Sequence, residues 1–414
     1  MPLTFLQRPP RVLYCTDTWA PQVNGVSVVT AISVRGLAER GWRSEVIAPT
    51  YPRAMYESGL EARGLEGRVT SLPSVPLPGY RDVRLVLPRY REVANVIDRF
   101  RPDLVHCQTE FMIGRLAQIA ARRRGVEIVS TYHTDFGRYA VAYGAPYLRR
   151  PVTSYLARFH SRSRRVFTPS AAARAELRAL GVRHASVWGR GVDDTRFNPA
   201  LRHPEARERL GFGSRFTFLY VGRLAAEKNV EVVLEAYHRA SAGVPRGVMR
   251  LVLAGTGPRE AALRAAAREG VTFIGHLDRD RELPELYANA DAFVFASTTE
   301  TLGLVVLEAM ASGLPVIAVP SGGVRDHLRH GVNGLEYPAG AVNALAAAMK
   351  HLASEPRHAL ELGRGARETA ETLSWEPELD RLDAAYRSVL AGATAVMPIG
   401  HGHRRFVVPD AAAG

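Results

Sequence analysis

Ten short apolar segments, five in each half of a 414-residue chain, alternate with stretches of helix length, and few architectures accommodate that rhythm. In the first half they are R-V-L-Y-C-T (11–16), S-E-V-I-A (44–48), D-L-V-H-C (103–107), E-I-V-S-T-Y (127–132) and R-V-F-T-P (165–169). In the second half they are F-T-F-L-Y-V-G (216–222), M-R-L-V-L-A-G (249–255), V-T-F-I-G (271–275), A-F-V-F-A (292–296) and P-V-I-A-V (315–319). Strands that are apolar without alternation belong in parallel sheets covered by helices on both faces. The expected fold is therefore α/β, with two doubly wound Rossmann-like domains facing a cleft, where such sheets bind ligands. The expected divisions are 1–200, 201–374, a helix over 375–391 crossing back to the first domain, and a weakly structured tail over 392–414. An apolar content of 46% and a length of 414 residues suit two soluble domains, each with its own core.

Charge is distributed unevenly. Residues 1–200 hold 30 Arg, no Lys and 16 acidic residues, so the whole excess of +13 lies in this half. That asymmetry points to an anionic surface as a candidate partner, and R-Y-A-V-A-Y-G-A-P-Y-L-R-R (138–150), continuing to Arg165, interleaves basic and aromatic residues as a membrane-facing segment would. No apolar run approaches the roughly 20 residues of a membrane span, and the N-terminus lacks a signal-peptide core. A cytoplasmic protein, peripheral on the inner face of a membrane, is expected. Only Cys15 and Cys107 occur, each beside an expected strand, so a disulfide framework and a cysteine metal site have no support.

Ala296–Gly313 reads A-S-T-T-E-T-L-G-L-V-V-L-E-A-M-A-S-G. A strand runs into a polar loop carrying Glu300, and a helix beginning near Gly303 and Leu304 carries Glu308 on its second turn. The free N–H groups and dipole of a helix N-terminus favour an anion such as a diphosphate. The two carboxylates suit hydroxyls instead, so the expected ligand carries both groups, as a nucleotide sugar does. The segment G-R-L-A-A-E-K-N (222–229) leaves the first strand of the same half, and its Arg223 and Lys228 suit stabilisation of a departing diphosphate.

In the first half, T-D-T-W-A-P-Q-V-N-G-V-S places Asp17 at a strand end, on the acceptor or hinge side, and Asn24-Gly25 at a helix start, where glycine lets backbone approach a ligand. No G-x-G-x-x-G fingerprint is present, which disfavours a nicotinamide cofactor. S-T-Y-H-T-D-F directs His133 and Asp135 toward the cleft, and W-G-R-G-V-D (188–193) sets Arg190 at the hinge or acceptor side. G-T-G-P (255–258) and I-G-H-L (274–277) suit either backbone contacts to a nucleobase or plain tight turns.

Together these segments resemble the retaining family 4 glycosyltransferases of the GT-B fold over roughly residues 11–390. The resemblance rests chiefly on G-R-x-x-x-E-K-N and on the two glutamates with seven residues between them. It implies that Arg223 and Lys228 bind the donor diphosphate, Glu308 the ribose hydroxyls and Glu300 the transferred sugar, with Gly25 near the donor and His133 beside the sugar. P-Q-V-N-G-V, Y-H-T-D and W-G-R-G-V-D look most like members that use GDP-mannose or UDP-sugars to build glycolipids. Leu302 departs from the aromatic residue many relatives carry, and Arg190 from their Asn.

The expected reaction is transfer of a hexose, mannose favoured, from a nucleoside diphosphate sugar to a hydroxyl acceptor that is lipid-linked. No carboxylate is placed as a nucleophile in the manner of a retaining hydrolase. A front-face route without metal or other cofactor is favoured, the cations doing a metal's electrostatic work. A GT-B sugar phosphorylase is one alternative. A basic nucleic-acid binder is another, but no nucleic-acid partner is expected given the acidic second half.

Overall fold

The computed structural model describes residues 8–22, 24–53, 69–77, 80–133 and 144–394. Asp135, residues 138–143 of the basic, aromatic segment and the tail beyond residue 394 lie outside the described residues.

The first domain begins with β1 (Arg11–Cys15), β2 (Arg43–Pro49) and β3 (Val69–Leu72), continues through an antiparallel hairpin of β4 (Ser74–Leu77) and β5 (Tyr80–Val86), and then adds β6 (Leu104–Cys107), β7 (Glu127–Thr131), β8 (Arg165–Thr168) and β9 (Ala185–Val187). Seven of these strands form one parallel sheet in the order β3-β2-β1-β6-β7-β8-β9. The second domain holds β10 (Phe216–Val221), β11 (Met249–Ala254), β12 (Val271–Gly275), β13 (Ala292–Phe295), β14 (Val316–Ala318) and β15 (Gly334–Glu336), parallel in the order β12-β11-β10-β13-β14-β15. In each sheet the order of the strands reverses once, between β1 and β6 and between β10 and β13. Those reversals open crevices at the carboxyl ends of the strands, the places where such sheets take ligands.

Every residue of β6, β11 and β13 is buried, as a strand covered on both faces requires. β3, β9 and β15 lie at or next to sheet edges and mix buried with partly exposed positions, which explains why their sequences carry no apolar run. Cys15 and Cys107 are free thiols buried in the first sheet.

Helix Trp375–Thr394 returns to the first domain and joins its core through Leu379, Leu382 and Tyr386. It seats against helix Gly25–Glu39, where a Cβ on Gly36 would lie 2.3 Å from Leu379. The Trp42 indole donates to Asp383 at 2.6 Å and the Trp188 indole to the Glu378 carbonyl at 2.7 Å. Burying each such leucine contributes about 2 kcal/mol, and the indole bonds fix the register of the helix. Beside it, the chain passing from first to second domain pairs with the chain passing back, Val192 N–H donating to Leu373 O at 2.8 Å. Among the described residues no helix is long and apolar enough to cross a membrane.

Candidate active site

In the second domain the crevice is walled by the segments leaving β10 and β13. Gly222 leaves β10 at φ +151, and the following turn brings Glu227 under Arg223, whose guanidinium donates to it. Glu227 is buried, so it is no part of a solvated surface pair. Lys228 reaches across the crevice and donates to the Glu300 carboxylate, so the two motifs meet in one ion pair. The Lys228 ammonium also lies 5.9 Å from the centre of the Phe295 ring, within cation–π range. Asn229, in the left-handed region at φ +51, ties the turn to β13 by donating to the Ala296 carbonyl at 3.3 Å.

Helix Leu304–Ala311 starts beyond Glu300. Its N-cap is Gly303 at φ +81, which has no side chain to satisfy the first N–H groups, and Leu304 opens the first turn. Glu308, on the second turn of that helix, is almost wholly buried. It accepts from Arg279 through Nε at 3.0 Å and Nη2 at 2.5 Å, while the Tyr287 hydroxyl lies 3.3 Å from its other oxygen. The sequence reading missed Arg279. It lies 29 residues from its partner in a polar loop, and no local pattern links the two.

Several glycines have a structural explanation. A Cβ on Gly255 would lie 2.0 Å from the Gly222 carbonyl oxygen, and one on Gly257 would lie 2.3 Å from that of Leu224. The G-T-G-P turn therefore lets two backbone segments pack face to face and holds the Arg223 loop. After β14, Gly322 and Gly323 do the same for the Glu300 loop: Gly323 N–H donates to Glu300 O at 3.0 Å, and a Cβ on Gly322 would lie 1.8 Å from that oxygen. A Ser-Gly-Gly run just past a strand was the available signal for this support.

The first domain supplies the facing wall. Asn24 caps helix Gly25–Glu39, accepting from Val26 and Ser27 at 3.0 Å each. A Cβ on Gly25 would meet nothing within 4 Å, so protein packing places no demand for glycine there. Asp17 accepts from Ile113 N–H at 3.0 Å and from Thr109 Oγ1 at 2.6 Å. It thereby caps helix Met112–Arg123, whose own N-cap, Phe111, offers no side-chain acceptor. Burial pushes the Asp17 carboxyl upward, with the two donors opposing the shift.

His133 follows β7, and its Nε2 is 2.7 Å from Gln108 Oε1 at the end of β6. Burial, reinforced by His160, pushes the imidazole down to about 3, so it is neutral at physiological pH. Its carbonyl accepts from Thr301 Oγ1, which brings the first-domain His133 beside the Glu300 loop of the second. Arg190 donates at 2.7 Å to Asp326, which also accepts from Ala171 N–H at 2.9 Å, a second contact between the domains. The structure thus brings Arg223, Lys228, Glu300, Gly303 and His133 toward one crevice. Asp17 and Arg190 are engaged in a helix cap and an interdomain ion pair.

Comparison with known proteins identifies the family of the chain. A model described as Glycosyltransferase Family 4 matches residues 23–196, and one described as Glycosyl transferases group 1 matches residues 215–355. A GDP-mannose-dependent alpha-mannosyltransferase of Mycobacterium tuberculosis is 35% identical over 92% of this chain and 97% of its own. The chain belongs to glycosyltransferase family 4. This glycosyltransferase also shares 30% identity with an alpha-monoglucosyldiacylglycerol synthase of Streptococcus pneumoniae, over 74% of this chain and 70% of the synthase. Its fold is GT-B: Anabaena HepE, solved in complex with UDP and glucose, superposes with a TM-score of 0.76 at 17% identity, covering 92% of this chain and all of HepE.

Proposed function

We propose that this glycosyltransferase moves mannose from GDP-mannose to a hydroxyl of a lipid-linked acceptor, with retention at the anomeric carbon and without a metal. The observation that carries the reading is the Lys228–Glu300 ion pair spanning the second-domain crevice, with Thr301 bonded to His133 of the other domain one residue further on. A diphosphate seated over the Gly303 helix end lies where Arg223 and Lys228 can neutralise it. Glu308 then takes the ribose hydroxyls and Glu300 the hydroxyls of the sugar. Asp135 is expected to serve the acceptor side.

In the front-face route the bond from the anomeric carbon to the diphosphate oxygen breaks as the acceptor oxygen bonds to that carbon from the same face. The acceptor proton passes to the departing diphosphate oxygen. Arg223, Lys228 and the helix end stabilise the charge that develops, so no metal is required for that task. Mannose and GDP are favoured by the Mycobacterium tuberculosis relative, and a lipid acceptor by the pneumococcal synthase. An anionic cytoplasmic membrane face suits the first domain, where a groove of about 580 Å³ is lined by the exposed Tyr147 with Arg149 and Arg150.

The test is mannose transfer from GDP-mannose to a lipid extract in the presence of EDTA, with UDP-sugars as rival donors and the product anomer assigned by NMR. An α-linked mannolipid formed from GDP-mannose alone is the expected product. Transfer restricted to a UDP-sugar, an inverted product, or activity restored only by added metal would each overturn the corresponding part of the proposal.

A further inference from the structure

A buried polar chain runs inward from His133, and the chemistry proposed above leaves it unused. Gln108 accepts from His133 Nε2 through its amide oxygen, and its amide nitrogen lies 3.3 Å from Nδ1 of His106. The same Nδ1 is bonded to the Tyr386 hydroxyl, which also lies 3.3 Å from the hydroxyl of Tyr14. Nε2 of His106 is 2.7 Å from Thr131 Oγ1. Gln108, His106, Tyr386 and Tyr14 have no solvent exposure, so each group must find its partner within the protein.

The chain of donors has a direction. An amide oxygen only accepts, so the ring nitrogen facing Gln108 Oε1 must carry the proton. The Tyr386 hydroxyl has one proton and two partners, Tyr14 and His106 Nδ1; directed at Nδ1, the nearer of the two, it makes that nitrogen an acceptor, and the amide nitrogen of Gln108, which can only donate, turns toward it. The amide oxygen is thereby left facing His133. The ring nitrogen remaining to His133, Nδ1, is then an unprotonated acceptor with no partner among the described residues, matched to a hydroxyl and mismatched to a second acceptor.

We infer that Gln108, oriented by His106 and by Tyr386 of the returning helix, is a positioning residue that fixes the Nε2–H tautomer of His133 and presents Nδ1 as hydrogen-bond acceptor to a hydroxyl of the transferred sugar. This rests on the proposed placement of the sugar beside His133. It gives the C-terminal helix a part in the reaction without contact with either substrate. It also supplies selectivity, since a donor lacking that hydroxyl leaves Nδ1 desolvated and unpaired.

The experiment has two arms. In protein labelled with 15N-histidine and free of donor, long-range 1H–15N correlation should show His133 as the Nε2–H tautomer, and Gln108→Leu and Tyr386→Phe should convert it to a mixture. In turnover, Gln108→Leu should lower kcat roughly tenfold, the effect of one lost hydrogen bond in the transition state, with donor KM little changed. In a His133→Ala background the same substitution should change kcat by no more than about twofold, because its partner is gone. A wild-type Nδ1–H tautomer, or losses that simply add in the double variant, would overturn the inference. If His133→Ala alone leaves turnover intact, the placement of the sugar fails, while the NMR arm still decides whether Gln108 sets the tautomer. Should Gln108→Leu fail to fold, Tyr386→Phe carries both arms.

Discussion

Replacing Arg279 with Met separates two tasks that meet at Glu308. Glu308 is 2% exposed, and Arg279, whose guanidinium neutralises it by two bonds to one oxygen, is 8% exposed. Breaking a buried pair from one side typically costs 3–5 kcal/mol, because a charge is left without a partner in a poorly polarisable surround. Arg279 also packs 5.3 Å from the centre of the Phe197 ring, and Met keeps most of that apolar contact. The expected cost of Arg279→Met is therefore about 4 kcal/mol, nearly all electrostatic. For a domain of this size that corresponds to a fall of about 10 °C in the melting transition of the second domain.

The decisive comparison is the double variant Arg279→Met with Glu308→Gln, which removes the charge along with its partner. It should regain most of the lost melting temperature. Donor affinity should stay about tenfold weak or worse, since a neutral amide replaces the carboxylate expected to accept from the ribose hydroxyls. Calorimetric melting and titration with GDP or GDP-mannose measure the two effects independently. A single Arg279→Met that costs less than about 1 kcal/mol, or a double variant no more stable than the single, would show that the pair does not neutralise a buried charge and would remove the basis of the reasoning.

Arg223→Ala and Lys228→Ala should each lower kcat by about 10²-fold in a steady-state release assay, the usual size of one electrostatic contact to a leaving group, and near-normal turnover would reject their assignment. Gly25→Ala should leave the melting temperature unchanged or raise it slightly, because its Cβ meets nothing within 4 Å, yet it should weaken donor binding in titrations; unaltered affinity would place the donor elsewhere. Gly255→Ala should do the reverse and unsettle the fold, since its Cβ would fall 2.0 Å from the Gly222 carbonyl oxygen at a φ of +131. Burial, with Arg190 nearby, pushes the His327 imidazole down to about 4. The unfolded chain takes up that proton near pH 6.5, so His327 weakens the fold progressively as pH falls from 6.5 toward 4; His327→Gln should remove about 2 kcal/mol of the stability lost between pH 7 and pH 5, measured by denaturant melts at both.

The layered fold was legible because each central strand writes its double burial into consecutive apolar residues, as L-V-H-C and A-F-V-F do. Edge strands such as V-T-S-L and G-L-E carry no such mark, since their pairing is imposed by a neighbour already in place. At the site, Lys228 and Glu300 were readable from local motifs because the crevice at a sheet reversal is built from the segments that follow adjacent strands. Gln108 and Arg279 were not. Their partners are fixed by the sheet order and by the packing of separate loops, so no spacing in the chain announces the contact. Asp17 shows the same gap in another form, since the helix it caps begins at Met112, far along the chain.

The ion pairs also change what donor binding has to accomplish. Arg223 is bonded to Glu227, Lys228 to Glu300 and Arg279 to Glu308, so each of these three cations already holds a carboxylate. A diphosphate bound as proposed would therefore redistribute charge that is in place, and would gain only the difference between new and old contacts. For Arg279 and Glu308 the old contact is buried and stays in place, because parting it would leave a buried charge without a partner. For Lys228 and Glu300 both side chains are partly open, and the pair can loosen as the ammonium turns to phosphate and the carboxylate to sugar hydroxyls. An interaction that strengthens only as the leaving diphosphate gains charge raises kcat, whereas one equally strong before and after serves affinity alone. Lys228→Ala should accordingly act mainly on kcat and Glu308→Gln mainly on donor affinity, and an exchange of those two signatures would show that the roles of the two pairs have been assigned the wrong way round.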